Sequence, residues 1–254
     1  MSRVDGLEPA GFPGCRDCPY YAHGSAAVCA ACAARTMTAV PEYHCRVCSQ
    51  VTDGGRCGNA LCGAPPSERG FSSVRAVAMY SGDLAETIRR FKYQGKYGWA
   101  PIFGRLVTGW LEQHRDEVAD IDLIVGNPTP PGRQPLQHIE RILEAARTED
   151  IAGRWPIPPS PLLTKTVPTP RSATQGREAK RRAAEEHAAV LRLHMDVAGK
   201  RVMLFDDLFT TGSQMCAVSR FLLARGAREV RGLVLARAPW AGKRPGKVGS
   251  GALF

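Results

Sequence analysis

Eight of the nine cysteines fall within the first 62 residues of a 254-residue chain, and no other feature limits the fold as strongly. They come as close pairs: Cys15 and Cys18, Cys29 and Cys32, Cys45 and Cys48, then Cys57 and Cys62 at a wider spacing. A Cys-x2-Cys turn aims both sulfurs at one point, and two such turns close a tetrahedral thiolate site of the kind zinc favours. Eight thiols suit two structural zinc ions, and a closed four-cysteine site leaves no open position for a substrate. The wider Cys57/Cys62 pair also allows an interleaved ligand set. His23 and His44 are substitute ligands on paper, but with eight cysteines present they read as surface histidines. Disulfides require an oxidising compartment to which nothing here directs the chain, and the tight spacing of iron–sulfur runs is absent. The expected organisation is a zinc-binding module over 1–63, a linker over 64–73, a larger domain over 74–240 and a basic tail over 241–254.

The net charge of +10 is a clue to partners only once it is located. Residues 1–70 hold six Arg against six Asp plus Glu, so the cysteine module is neutral. The excess lies later, with clusters at Arg177–Arg182 and Lys243–Lys247. These suit either phosphate contacts or a solvated helix face and tail. No apolar run approaches the roughly 18 residues that span a bilayer, and no basic segment leads into an apolar one, so the reading is a cytoplasmic protein without membrane insertion.

Beyond the linker the pattern is that of a parallel α/β sheet. Val74–Tyr80 reads as a strand leading into a helix with Leu84, Ile88 and Phe91 on one face, and a second helix carries Ile102, Leu106 and Trp110. Ile121–Val125 reads as a buried strand that opens into the loop Gly126–Arg133, followed by a helix with Leu136, Ile139, Leu143 and Ala146 inward. Leu162–Thr164 is a short strand candidate, and Gln175–Arg192 is helical and charged. Arg201–Phe205 is a strand ahead of two acids. A helix over Ser213–Arg225 and a strand over Val230–Ala236 complete the alternation.

The run Val202-Met-Leu-Phe-Asp-Asp-Leu-Phe-Thr-Thr-Gly-Ser213 carries the chemistry. It lies past a strand's carboxyl end and at the start of a helix, where open α/β sheets bind ligands. Thr210, Thr211, Gly212 and Ser213 offer hydroxyls and backbone N–H groups at a helix N-terminus, which suits an anion. Asp206 and Asp207 are acceptors for sugar hydroxyls and can help to position Mg2+. Cys216, in the following helix, reads as a small apolar core residue. Lys92 and Lys96 either face the site or, as is commoner for basic residues around a helix end, are solvated.

The same run resembles the phosphoribosyl pyrophosphate signature of type I phosphoribosyltransferases: an apolar strand, two acids, two further residues and Thr-Thr-Gly. The resemblance implies that Asp206 and Asp207 hold the ribose hydroxyls and act at the catalytic centre, while Thr210–Ser213 hold the 5-phosphate. It also implies that Gly126–Arg133, with Arg133, forms the pyrophosphate loop, and that Arg171–Arg182, with Arg171 and Arg181, forms a lid. With the cysteine module in front, the whole chain resembles the ComF family of competence and DNA-uptake proteins. Tyr80-Ser-Gly-Asp-Leu84 leading into Ile88-Arg-Arg-Phe-Lys92, and Arg171 followed by Gln175, add to that likeness. Two segments depart from it: Asn127–His138 lacks the family's basic Arg-Gly-Phe-Asn-Gln-like run, and Glu185 and Glu186 stand near where an Asn is expected.

The expected function is Mg2+-dependent binding of phosphoribosyl pyrophosphate or a nucleotide, with phosphoribosyl transfer to an unknown acceptor. The alternative is a non-catalytic protein of DNA uptake or processing that binds single-stranded DNA or partner proteins. Glutamine hydrolysis is not expected, because Cys15 belongs to a knuckle pair.

Overall fold

The computed structural model describes residues 37–52, 57–95, 97–129, 137–168 and 177–239. In chain order the strands are β1 (Val74–Met79), β2 (Leu123–Gly126), β3 (Leu163–Lys165), β4 (Leu191–Leu193), β5 (Arg201–Phe209) and β6 (Glu229–Arg237). The α-helices are α1 (Ala60–Gly63), α2 (Pro66–Arg69), α3 (Gly82–Gln94), α4 (Ala100–Gln113), α5 (Arg115–Val118), α6 (His138–Glu149), α7 (Arg177–Ala189) and α8 (Ser213–Leu223).

Four strands form one sheet in the order β1-β6-β5-β2, and every neighbouring pair is parallel. Both faces of such a sheet are covered, so its strands are apolar almost throughout and alternate residues serve opposite faces. Met203, Phe205, Leu233 and Leu235 pack on one face with Leu84, Ile88, Phe91, Phe103, Leu106 and Ile139 from α3, α4 and α6. Val202, Leu204, Val230 and Val234 pack on the other with Met215, Val218 and Leu222 of α8. Gly104 lets α4 lie directly on α6, since a Cβ there would come within 2.6 Å of the Ala146 nitrogen.

This arrangement places a crevice. The chain leaves β2 for α6 on one face and leaves the adjacent β5 for α8 on the opposite face. The carboxyl ends of β2 and β5 therefore flank the point where connections diverge, which is where doubly wound sheets bind ligands.

Three local expectations differ from the structure. β5 runs through both acids to Phe209 rather than ending at Phe205, because β6 continues alongside it and pairs Asp206 with Val234 and Phe209 with Arg237. The helix read over Gln175–Arg192 stops at Ala189, and Leu191–Leu193 form an antiparallel pair with Leu163–Lys165. Residues 64–73, read as a linker, contain α2 and bury Arg69 and Phe71. Arg69 donates from Nε to the Phe71 carbonyl and from Nη2 to that of Ser72, at 2.7 and 2.8 Å.

The candidate ligand site and the cysteine cluster

Asp207 is 2% exposed, and its carboxylate lies 2.6 Å from Lys92 Nζ on α3 and 3.1 Å from His138 Nε2 on α6. The other ring nitrogen of His138 lies 3.3 Å from Thr129 Oγ1, so both nitrogens face oxygen. Thr129 in turn donates its N–H and its hydroxyl to Glu140, at 3.0 and 2.9 Å. Burial alone would raise Asp207, but the Lys92 cation and the His138 hydrogen bond outweigh it and hold the acid well below the usual carboxylate range. Burial also works against the Lys92 charge, and the charges of Asp207 and Asp206 outweigh it and raise that group. The commoner reading, that Lys92 is solvated, is thus overturned: the α3 helix turns it inward, and an ion pair with a buried acid holds it there.

Asp206 is in a different state although it is the next residue. It is half-buried, accepts from Asn127 Nδ2 at 2.9 Å, and has no cation within ion-pairing distance among the described residues. Burial and the neighbouring Asp207 charge push it up to about 6. Asn127 Oδ1 accepts from His187 Nε2 of α7 at 3.0 Å; because Asn127 uses its NH2 on Asp206, His187 must be the donor. Burial, with a contribution from Lys165, brings His187 down to about 3, so it is neutral near pH 7. Lys92 thus acts on both acids, but it pairs directly with Asp207 alone and leaves Asp206 the less compensated of the two.

Just beyond them, Gly212 caps α8 with a positive φ of 86°. A side chain there would collide with Phe209, whose Cζ is 2.4 Å from the position of a Cβ. Thr210 is exposed, Thr211 and Ser213 are half-buried, and the hydroxyls of the last two lie 3.0 Å apart. The N–H groups of Thr211 and Gly212 have no backbone partner among the described residues, as an anion-binding helix start requires.

Three sequence-based site residues remain. Arg133 and Arg171 lie outside the described residues. Arg181 is on α7 with its guanidinium 2.5 Å from Glu178 and 2.7 Å from Glu185, a pairing that neutralises it within its own helix. It lines a cavity with Thr211 and Ser213 rather than meeting the acids. Sequence reasoning missed Asn127, His138 and His187, which are polar residues bonded to one another or to the acids across 60 to 79 positions.

Cys45, Cys48, Cys57 and Cys62 bring their sulfurs to within 4.8 Å of one another. Cys15, Cys18, Cys29 and Cys32, and with them the second zinc site, lie outside the described residues. The knuckle is built by Cys45 N–H on the Gln50 carbonyl and Ser49 N–H on the Cys45 carbonyl, at 2.7 and 2.8 Å. Cys48 and Cys57 sulfurs are 3.7 Å apart, close to the roughly 3.8 Å edge of a tetrahedron with bonds of about 2.3 Å. The donor set and its size fit a metal such as zinc. His44 turns its Nδ1 to the Pro41 carbonyl at 2.7 Å and stands outside the cluster.

The phosphoribosyl transferase domain family matches residues 94–248. The chain belongs to that family. It is also 21% identical over 202 residues to the competence protein ComFC of Streptococcus pneumoniae, an alignment covering 80% of this chain and 84% of that protein. With the cysteine cluster ahead of the parallel sheet, these findings fit a ComF-type, phosphoribosyltransferase-like protein. Among the described residues no helix is long and apolar enough to cross a membrane.

Proposed function

We propose that the protein binds phosphoribosyl pyrophosphate together with Mg2+ in the crevice between β2 and β5, and transfers the phosphoribosyl group to an acceptor. The observation that carries this reading is the half-buried carboxylate of Asp206, without an ion-pair partner among the described residues, standing one loop away from a helix start whose Thr211 and Gly212 N–H groups have no backbone partner among those residues. Thr210, Thr211, Gly212 and Ser213 would hold the 5-phosphate, and Asp206 would accept from a ribose hydroxyl. Asp207, committed to Lys92 and His138, would fix the strand end and the position of Asp206. A single accessible carboxylate suits Mg2+, which keeps most of its waters and takes its other ligands from substrate phosphates. When bound, Mg2+ would neutralise charge building on the departing pyrophosphate. In the transfer, the bond from the anomeric carbon to pyrophosphate breaks with its electron pair leaving on oxygen. The acceptor supplies the new pair and gives up a proton.

This reading sets a pH dependence. A ligand that needs Asp206 ionised must first remove its proton. Affinity should therefore rise by up to roughly tenfold per pH unit below about 6 and level off above it. Phosphate groups of the ligand ionise in the same range, so Asp206→Asn provides the baseline: its slope should be shallower. Equal slopes would remove Asp206 from the site.

The name of the pneumococcal relative and the charge of +10 support a second reading, a non-catalytic DNA-handling role. Its signature is salt-dependent binding of single-stranded DNA without release of pyrophosphate. The pairing of Arg181 with Glu178 and Glu185 weighs against α7 as the contact surface.

A further inference from the structure

The cysteine cluster and the ligand loop are joined by two side chains that belong to neither. Arg237, at the end of β6, is 1% exposed. Its Nε donates to the carbonyl of Cys48 at 2.9 Å, and its Nη2 lies 3.8 Å from the Cys48 sulfur. Its Nη1 donates to the carbonyls of Phe209 and Thr210, both at 3.0 Å, while the guanidinium sits 4.8 Å from the centre of the Phe209 ring. Asn59, between Cys57 and Cys62, is 4% exposed. Its Nδ2 donates to the Thr211 carbonyl at 3.1 Å, and its Oδ1 caps α1, which carries Cys62. The carbonyl that closes β5, at Phe209, which also accepts from the Ala238 N–H, and the two loop carbonyls of Thr210 and Thr211 are thus held by side chains bonded to Cys48 or set between Cys57 and Cys62.

We propose that a metal bound by Cys45, Cys48, Cys57 and Cys62 clamps the phosphate loop through Arg237 and Asn59, so that metal occupancy sets the affinity of the loop for its anion. Carbonyl oxygens repel an anion and amide N–H groups attract it. Tying the carbonyls to the module leaves the N–H groups of Thr211 and Gly212 for the ligand. Groups hydrogen-bonded to metal ligands orient them and are oriented by them, so the clamp works only while the four sulfurs converge. The affinity part of this inference rests on the phosphate-binding reading; the mechanical coupling does not.

The test is hydrogen exchange of the amides that donate to the carbonyls of this segment, Ala238 to Phe209 and Cys216 to Gly212, in zinc-loaded protein, chelator-treated protein and an Asn59→Ala variant that retains zinc, with phosphoribosyl pyrophosphate affinity measured in parallel. Coupling between sites typically changes affinity by about 5- to 150-fold. In Asn59→Ala loop exchange should quicken by roughly tenfold or more with β2 and α6 amides unchanged and affinity falling in step; after chelation the loop should loosen too, alongside the faster β2 and α6 exchange that lost global stability brings. Unchanged loop exchange in both would overturn the clamp. So would exchange in zinc-retaining Asn59→Ala that rises equally in β2 and α6, because Asn59 would then support the whole fold without selective action on the loop. A loop that loosens as expected in a protein whose loaded form binds no phosphoribosyl pyrophosphate would leave the clamp standing and sink the ligand assignment.

Discussion

Lys92→Met should destabilise the protein by about 3–5 kcal/mol, the cost of removing one partner from a buried ion pair. For a domain of this size that is a fall in Tm of roughly 6–20 °C. The methionine keeps much of the side chain's volume, so the loss reports charge. Asp207 is left in the same burial with His138 alone. The double change Lys92→Met with Asp207→Asn should lose less than the sum of the singles, because the uncompensated charge is gone. The pH dependence has a definite sign. Asp207 is depressed in the folded protein, so its contribution is present above the unfolded value near 4 and is lost as pH falls. The gap between wild type and Lys92→Met should therefore narrow on acidification below about pH 4. Thermal melts across that range check both claims; a variant within about 1 kcal/mol of wild type at pH 7 would mean that Lys92 is not paired as described.

Removing the metal is the second large effect. Cys48 is fully buried beside the core that includes Phe71, Val74 and Phe209, and the knuckle docks on β1 through Val74 N–H on the Val47 carbonyl at 2.7 Å. Structural zinc contributes as much as about 10–16 kcal/mol in isolated finger peptides. A module already packed on a large domain should depend on it less: chelation should cost about 3 kcal/mol, a Tm drop of roughly 6–12 °C. Cys48→Ser should match the chelated protein and no longer respond to chelator. Cys216→Ser is the control. Its side chain is buried on α8 outside the cluster, and the variant should keep its metal and its response to chelator. Metal content measured beside each melt separates the two cases.

The strand order of the sheet was not written in the sequence. The apolar runs Arg201–Phe205 and Val230–Ala236 did mark strands, as runs buried on both faces do, and Leu84, Ile88 and Phe91 marked the inward face of α3. The end of β5 was misplaced because acids usually signal that a strand has left the core. Here Asp207 stays inside because Lys92, 115 residues away, meets it. Local pattern carries no sign of such a pair. The same holds for Asn127, His138 and His187, whose partners are supplied by the fold. Arg237 did leave a trace: an arginine closing the apolar run Leu233–Ala236 is a charge that a buried strand end must satisfy. Leu191 and Arg192 of β4 were read as the end of a helix because three residues are too few to show a period, and the strand character comes from pairing with β3.

The central claim is that Asp206 and the loop from Thr210 to Ser213 form one site for a ribose phosphate donor. The most direct measurement is a calorimetric titration of phosphoribosyl pyrophosphate with Mg2+ into zinc-loaded protein at pH 8, beside Asp206→Ala and Thr211→Val. Saturable one-site binding by wild type, weakened tenfold or more in each variant while both keep their metal and their melting behaviour, is the predicted result. No binding by the loaded wild type, or binding that neither variant changes, would contradict it.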